Sequence, residues 1–219
     1  MLKLLNTIEI SPYDYSKEEY ECPNGSSAEL PSEWNSYWLK CITDSNLGAL
    51  RAIKEGSYFV DMETIDFPEL EEIIKKELSE VEFDDFEEQI SRLSGGIVVK
   101  IGGEVVTEPS CCADVGDLEN WEGIFTSEVN VWHQLWIGHP WVLYRISAGT
   151  VEFSDYTDSN PDDLEHIAPK YSISKEDLAL EVRNSREKQE AFGEKILLVL
   201  KNMNIKNAAE ITKLLLGNK

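Results

Sequence analysis

Gly95-Gly96-Ile97-Val98-Val99-Lys100-Ile101-Gly102-Gly103-Glu104-Val105-Val106-Thr107 is the stretch that decides the fold class. A β-branched run bounded by glycine pairs reads as a strand entering a two-residue turn, and the apolar run after the turn is its hairpin partner. Further on, residues 131–137 alternate. Val131, His133, Leu135 and Ile137 share one face of an extended chain, and Trp132, Gln134 and Trp136 share the other. Gly138-His139-Pro140 breaks this ladder, residues 141–146 resume it, and Ser147-Ala148-Gly149 turns the chain into Val151-Glu152-Phe153. The pattern predicts an antiparallel sheet of four to five strands over about residues 96–155.

Helical signals flank this sheet on both sides, so the fold class is α+β. Ser32 stands as a cap before Trp34, Trp38 and Cys41 or Ile42 at helical spacing, and Leu47, Leu50 and Ile53 extend the apolar pattern. Residues 57–62 suit a strand, and residues 2–10 alternate as another. Asp66 and Pro68 open a helix with Leu70, Ile73, Ile74 and Leu78 inward, and the spacing continues through Phe83, Phe86, Ile90 and Leu93. Residues 154–169 read as loop. Ser174 caps a long helix whose apolar face runs from Leu178 to Met203 with a solvated middle at 183–190, and Asn207 starts a last short helix. The whole is expected to be a single domain, 1–219. It has an N-terminal strand and helical part at 1–94, a sheet core at 95–156 and a C-terminal helical pair at 170–219.

The chain has 219 residues and a formal net charge of −22. The first 169 residues carry ten bases against 35 acids, while the remainder carries ten against seven, so the acidic surface belongs to the front of the chain. Residues 61–88 alone hold 13 acids against Lys75 and Lys76. Such a charge repels a phosphate backbone and attracts basic surfaces, so nucleic acid is excluded as the partner and a basic protein is expected. Apolar runs are far too short to cross a bilayer, and the N-terminus has no signal-peptide core, so no membrane association and a cytoplasmic location are expected. Four cysteines in that setting are expected to be thiols.

Chemistry concentrates between residues 108 and 141. Cys111 or Cys112 with His133 or His139 and an acid could form a thiol dyad. The same four residues are zinc-ligand types, yet adjacent cysteines chelate one metal poorly and no second Cys pair brackets them, so no metal and no cofactor is expected. In the structural reading Asp117 caps a short helix through Trp121 and Ile124. Pro140 bends the chain so that Trp136 meets Trp141, and His139 anchors the bend to the backbone or to a carboxylate of residues 114–119.

Pro109-Ser110-Cys111-Cys112, Asp117-Leu118-Glu119-Asn120-Trp121 and Gly138-His139-Pro140-Trp141 resemble segments of a group of uncharacterised bacterial proteins in which Pro-x-Cys-Cys, Asp-Leu-x-Asn-Trp and Gly-His-Pro-Trp recur. The resemblance spans roughly residues 109–155, implies a bacterial source and transfers no function. Two expectations follow from the residues themselves. One is a non-enzymatic acidic binding protein of the bacterial immunity type, neutralising a basic toxin through Trp132, Trp136, Trp141, Asp114 and Asp117. The alternative is a small-molecule enzyme or sensor with a pocket lined by Cys111, Cys112, His133, His139 and the tryptophans.

Overall fold

The computed structural model describes residues 1–217. In chain order its elements are β1 (Leu2–Glu9), α1 (Pro12–Tyr15), α2 (Pro31–Thr43), β2 (Phe59–Asp61), α3 (Phe67–Glu77), α4 (Phe86–Gln89), β3 (Gly95–Ile101), β4 (Glu104–Thr107), α5 (Leu118–Gly123), β5 (Trp132–Leu135), β6 (Trp141–Ser147), β7 (Thr150–Thr157), β8 (Tyr171–Ser174), α6 (Lys175–Asn202) and α7 (Ala208–Leu216). The fold is α+β, with two four-stranded antiparallel sheets of order β2-β1-β3-β4 and β5-β6-β7-β8 and a C-terminal helical pair. Among the described residues no helix is long and apolar enough to cross a membrane. The chain divides into two compact units, residues 1–6 with 94–189 and residues 7–93 with 190 onward.

The first unit contains the hairpin read from the glycine pairs. Ile101 pairs with Glu104 across Gly102 and Gly103, whose φ values of +64° and +97° suit a primed turn. Helical turns occupy residues 115–126, where the short helix was expected, but the strands between 96 and 155 are shared between two sheets instead of forming one. β5, β6 and β7 form a meander, in register from Trp132↔Arg145 through Ser147↔Thr150. A register shift between Val142 and Tyr144 is bridged by Ser154, whose Oγ accepts from the Leu143 N–H at 2.8 Å. β7 runs on to Thr157 inside the region expected to be loop, and β8 pairs beyond it, Phe153↔Tyr171. With four residues, β8 is too brief for alternation to reveal it.

The core of this unit gathers Trp121, Phe153, Leu135, Val142, Leu178 and Val182 among others, with Trp121 and Phe153 ring centroids 5.9 Å apart. Two tyrosines tie the end of β4 to the second sheet. The Tyr156 hydroxyl accepts from the Glu108 N–H and donates to the Glu108 carbonyl, both at 2.8 Å, and Tyr171 meets the Thr107 hydroxyl at 2.7 Å. Burial, more than the neighbouring carboxylates, pushes the Tyr156 hydroxyl up to about 12.

In α6 the stretch expected to be solvated keeps Arg183, Glu187 and Glu190 exposed but turns two polar residues inward. Ser185 and Gln189 are buried, the first bonded through its backbone carbonyl and the second through its side chain. Asn6 donates to the Ser185 carbonyl at 2.6 Å, Gln189 donates to the Val115 carbonyl at 2.6 Å, and Arg186 grips both oxygens of Glu122 at 2.8 Å. The cap at its start is the one read from sequence, Ser174 Oγ accepting from the Asp177 N–H at 3.4 Å.

In the second unit the last residues of β1 pair with β2, Thr7↔Asp61 to Glu9↔Phe59. Trp38 of α2 is fully buried, and its indole N–H donates to the Ile10 carbonyl at 2.7 Å. α2 begins at Pro31, one residue before the expected Ser32 cap, which suits proline's lack of an N–H. Leu47 and Leu50 are buried from turns, not from a helix, and the helix expected through Phe83 to Leu93 shrinks to the single turn of α4. Clustered acids from Glu80 to Glu88 repel one another along any helix built there. α3 carries the inward face expected of it, with Leu70, Ile73 and Ile74 buried.

Replacing Tyr156 with Phe should cost about 1–3 kcal/mol, because the Glu108 N–H and carbonyl both lose their partner in a part-buried place. Urea denaturation of the two proteins checks this, and an unchanged midpoint would show that water replaces the hydroxyl at no cost.

Candidate functional site

Residues 108–117 are strapped to two neighbouring segments. On one side the Gly95 N–H donates to the Ala113 carbonyl at 3.2 Å, and Gly96, at φ +137°, stands where a Cβ would lie 3.1 Å from Pro109 Cγ. On the other side the Ser110 N–H donates to the Ile137 carbonyl and the His139 N–H donates to the Cys111 carbonyl, both at 2.8 Å. Between those two bonds lies Gly138, at φ +94°, where a Cβ would collide with the Ser110 carbonyl oxygen and stand 2.6 Å from that of Cys111. Only glycine allows this approach and this φ together.

The strap holds Cys111 and Cys112 on the surface, both exposed and neither in a disulfide, with their sulfurs 3.3 Å apart. Cys112 has φ +68°, a left-handed conformation that costs a residue with a Cβ about 1–2 kcal/mol. The Ala113 N–H, donating to the Ser110 carbonyl at 3.1 Å, closes the turn that imposes it. His139, bridged to Cys111 through the backbone, points its ring at Trp141 edge-on at 5.3 Å, and its Nε2 lies 3.4 Å from the Asp158 carboxylate. The carboxylate at the bend is therefore Asp158 and not one from residues 114–119, because β7 and the residues after it run alongside Trp141, which pairs with Thr157. Trp136 and Trp141 do meet, at 6.1 Å between ring centroids, and Trp136 is 37% exposed.

The remaining candidate residues are elsewhere or otherwise engaged. His133 is not beside the thiols. Its ring lies tilted by 31° against Tyr144 at 5.4 Å, and its Nε2 is 2.9 Å from the Glu128 carbonyl, because β5 carries it to the cross-strand position opposite Tyr144. Trp132 lies under the Arg145 guanidinium at 4.8 Å, which Glu152 holds from its other side. Asp114 and Asp117 form a capping box: the Gly116 N–H donates to Asp114 at 2.7 Å and the Asp114 N–H to Asp117 at 3.1 Å. That box closes the turn at residues 115–117; Asp117 stands at the start of α5 as expected but makes no side-chain cap bond to it, and it is only 8% exposed. Asn120 links this turn to the bend, donating to Asp117 and to the Trp136 carbonyl, both at 3.1 Å. Among the described residues no group of three or more His, Cys, Asp or Glu is placed to hold a metal ion.

A second feature, in the other unit, escaped the sequence reading. A groove of 520 Å³ is lined by Phe83, Phe86 and Ile205 with Asp84, Asn204 and Lys206. Phe83 is 44% exposed, and around it Glu82, Asp84, Asp85, Glu87 and Glu88 all face solvent. None of the 13 acids between residues 61 and 88 is buried. At Glu9 and Glu77, desolvation first and the Asp14 carboxylate second raise both carboxyls above the ordinary 4.5, although both residues keep surface open to solvent. The signal that could have found the groove is an aromatic pair, Phe83 and Phe86, in a run of carboxylates that cannot sustain a long helix.

No family model matches the chain, and neither the curated proteins nor the solved structures contain a match to it.

Gly138→Ala should destabilise the protein by about 2–4 kcal/mol, since it combines backbone strain with an overlap that only a shift of the strap can relieve. His139→Ala, which removes a contact to Asp158 between two exposed side chains, should cost under about 1 kcal/mol. The two unfolding midpoints compare these, and equal losses would mean that the histidine ring, not the close approach, holds the bend. Glu77→Gln has an expected sign as well. A carboxyl raised in the folded state binds its proton more tightly there than in the unfolded chain, so stability falls as pH rises from 4.5 through the raised value. The amide should therefore stabilise at pH 7 and lose that advantage below pH 4.5, in melts recorded across that range.

Proposed function

We propose that this chain is a non-enzymatic acidic binding protein whose partner is a basic protein, in the manner of bacterial immunity proteins that cover a cationic toxin with carboxylates and aromatics. The observation that carries the reading is the groove at Phe83, Phe86 and Ile205, which Asp84, Asn204, Lys206 and Asn207 also line, beside a run of exposed carboxylates. A desolvated aromatic anchor inside a charged rim is the arrangement that gives an interface its affinity, and the surrounding field of one sign speeds the encounter. The net charge of −22 makes that field large. Trp136, exposed at the bend and packed on the half-buried Trp141, supports the same reading.

The alternative, a small-molecule enzyme or sensor, draws support from Cys111, Cys112 and His139 standing side by side. It loses His133, which the second sheet holds at Tyr144.

The test is association with a cationic nuclease encoded beside this chain's gene, followed by stopped flow at rising salt. The on-rate should fall by roughly tenfold or more between low and physiological salt. Asp84→Lys with Asp85→Lys should lower it further, and Phe83→Ala should speed dissociation without changing the salt slope. A salt-independent rate, or a nuclease that binds the charge-reversed variant equally well, would sink the reading.

A further inference from the structure

We propose that Cys111 and Cys112 form a reversible two-electron redox site whose oxidant is a small disulfide. The proposal goes beyond the binding function and does not depend on it. Adjacent cysteines in an extended strand would point their side chains to opposite faces. Here the left-handed Cys112 turns its side chain to the same side as that of Cys111, and the sulfurs rest 3.3 Å apart. Bond formation at roughly 2.05 Å needs only a small further approach.

The backbone on both sides of the pair is clamped, so the juxtaposition is imposed by the fold. The Cys111 carbonyl accepts from His139, the Ser110 carbonyl accepts from Ala113, and the Ala113 carbonyl accepts from Gly95. A strained conformation held by such surroundings is characteristic of switch and reaction sites. Both thiols are exposed, so a soluble oxidant reaches either one. The two Cα atoms, joined by a single peptide unit, are closer than an unstrained disulfide prefers, which favours a bond that opens again under reducing conditions.

The chemistry balances with glutathione disulfide as co-reactant. The thiolate of one cysteine attacks a sulfur of glutathione disulfide, forming a mixed disulfide and releasing one glutathione thiolate. The neighbouring cysteine, after losing its proton, displaces the second glutathione and closes the Cys111–Cys112 bond. The protein loses two electrons and two protons, and one glutathione disulfide becomes two glutathione thiols.

The experiment equilibrates the full chain in buffers of graded glutathione to glutathione disulfide ratio, quenches with an alkylating reagent and maps the peptides by mass. The expected result is concerted loss of alkylation at Cys111 and Cys112, with their peptide lighter by two hydrogens, no second chain attached, and full recovery with dithiothreitol. Cys22→Ser should behave like the parent, whereas Cys111→Ser and Cys112→Ser should each trap glutathione on the remaining thiol as a stable mixed disulfide. The proposal is overturned if both thiols stay alkylatable across the whole series. It is equally overturned if the parent retains glutathione on either residue or if oxidation only cross-links two chains. The parent chain alone decides the matter should a serine variant fail to fold.

Discussion

The close passage of residue 138 under the Ser110 and Cys111 carbonyls is the constraint on which the thiol-bearing part of the structure depends. Two backbone hydrogen bonds of 2.8 Å, one on each side of Gly138, can form only because no side chain stands between the segments. That approach fixes the height of Cys111 against the bend, places His139 against Trp141 and lets Trp136 fold back on the same ring. The turn that follows then forces Cys112 into left-handed geometry. One absent methyl group thus accounts for the position of both thiols, one histidine and two indoles.

A different kind of constraint organises the helical side of the same unit. Polar groups enter the interior at Asn6, Ser185 and Gln189, and each donated N–H found there ends on a carbonyl. Arg186 and Glu122 add a two-pronged ion pair between α6 and α5, where both hydrogen bonds are short and the geometry is directional. Burial of this sort specifies one register of the helix against its surroundings. A one-residue slide would leave several donors without acceptors, at a cost apolar packing does not impose.

The acidic surface follows from the opposite economy. Between residues 61 and 88 the carboxylates find only Lys75 and Lys76 as bases in their own segment, and Lys75 already bridges Glu71 and Glu72 at 2.7 and 2.9 Å. The uncompensated charge stays in water, where it is least costly, and the apolar residues of the run divide between α3's inward face and the groove at Phe83 and Phe86. Self-repulsion along this run is consistent with the early end of the helical pattern. The surface we propose for a basic partner is the one where this repulsion acts on the local fold.

Local pattern determined much of this protein. The hairpin on Gly102 and Gly103, the meander from Trp132 to Thr157, the inward face of α3 and the Ser174 cap each rest on residues close in sequence, where turn geometry and side-chain period are set by the chain itself. The meeting of Trp136 and Trp141 was legible for the same reason, because a proline between two strands leaves the chain little choice. Tertiary structure alone decided that β3 and β4 belong to one sheet and β5 to β8 to another. It also set His133 against Tyr144, brought Asp158 to His139, buried Ser185 of α6 under Asn6, and carried Gln189 to the distant Val115 carbonyl. Each of these depends on a partner far away in the chain, and hydrogen bonding and burial at such range are satisfied only when the whole unit has closed, so no local period or propensity carries their signature.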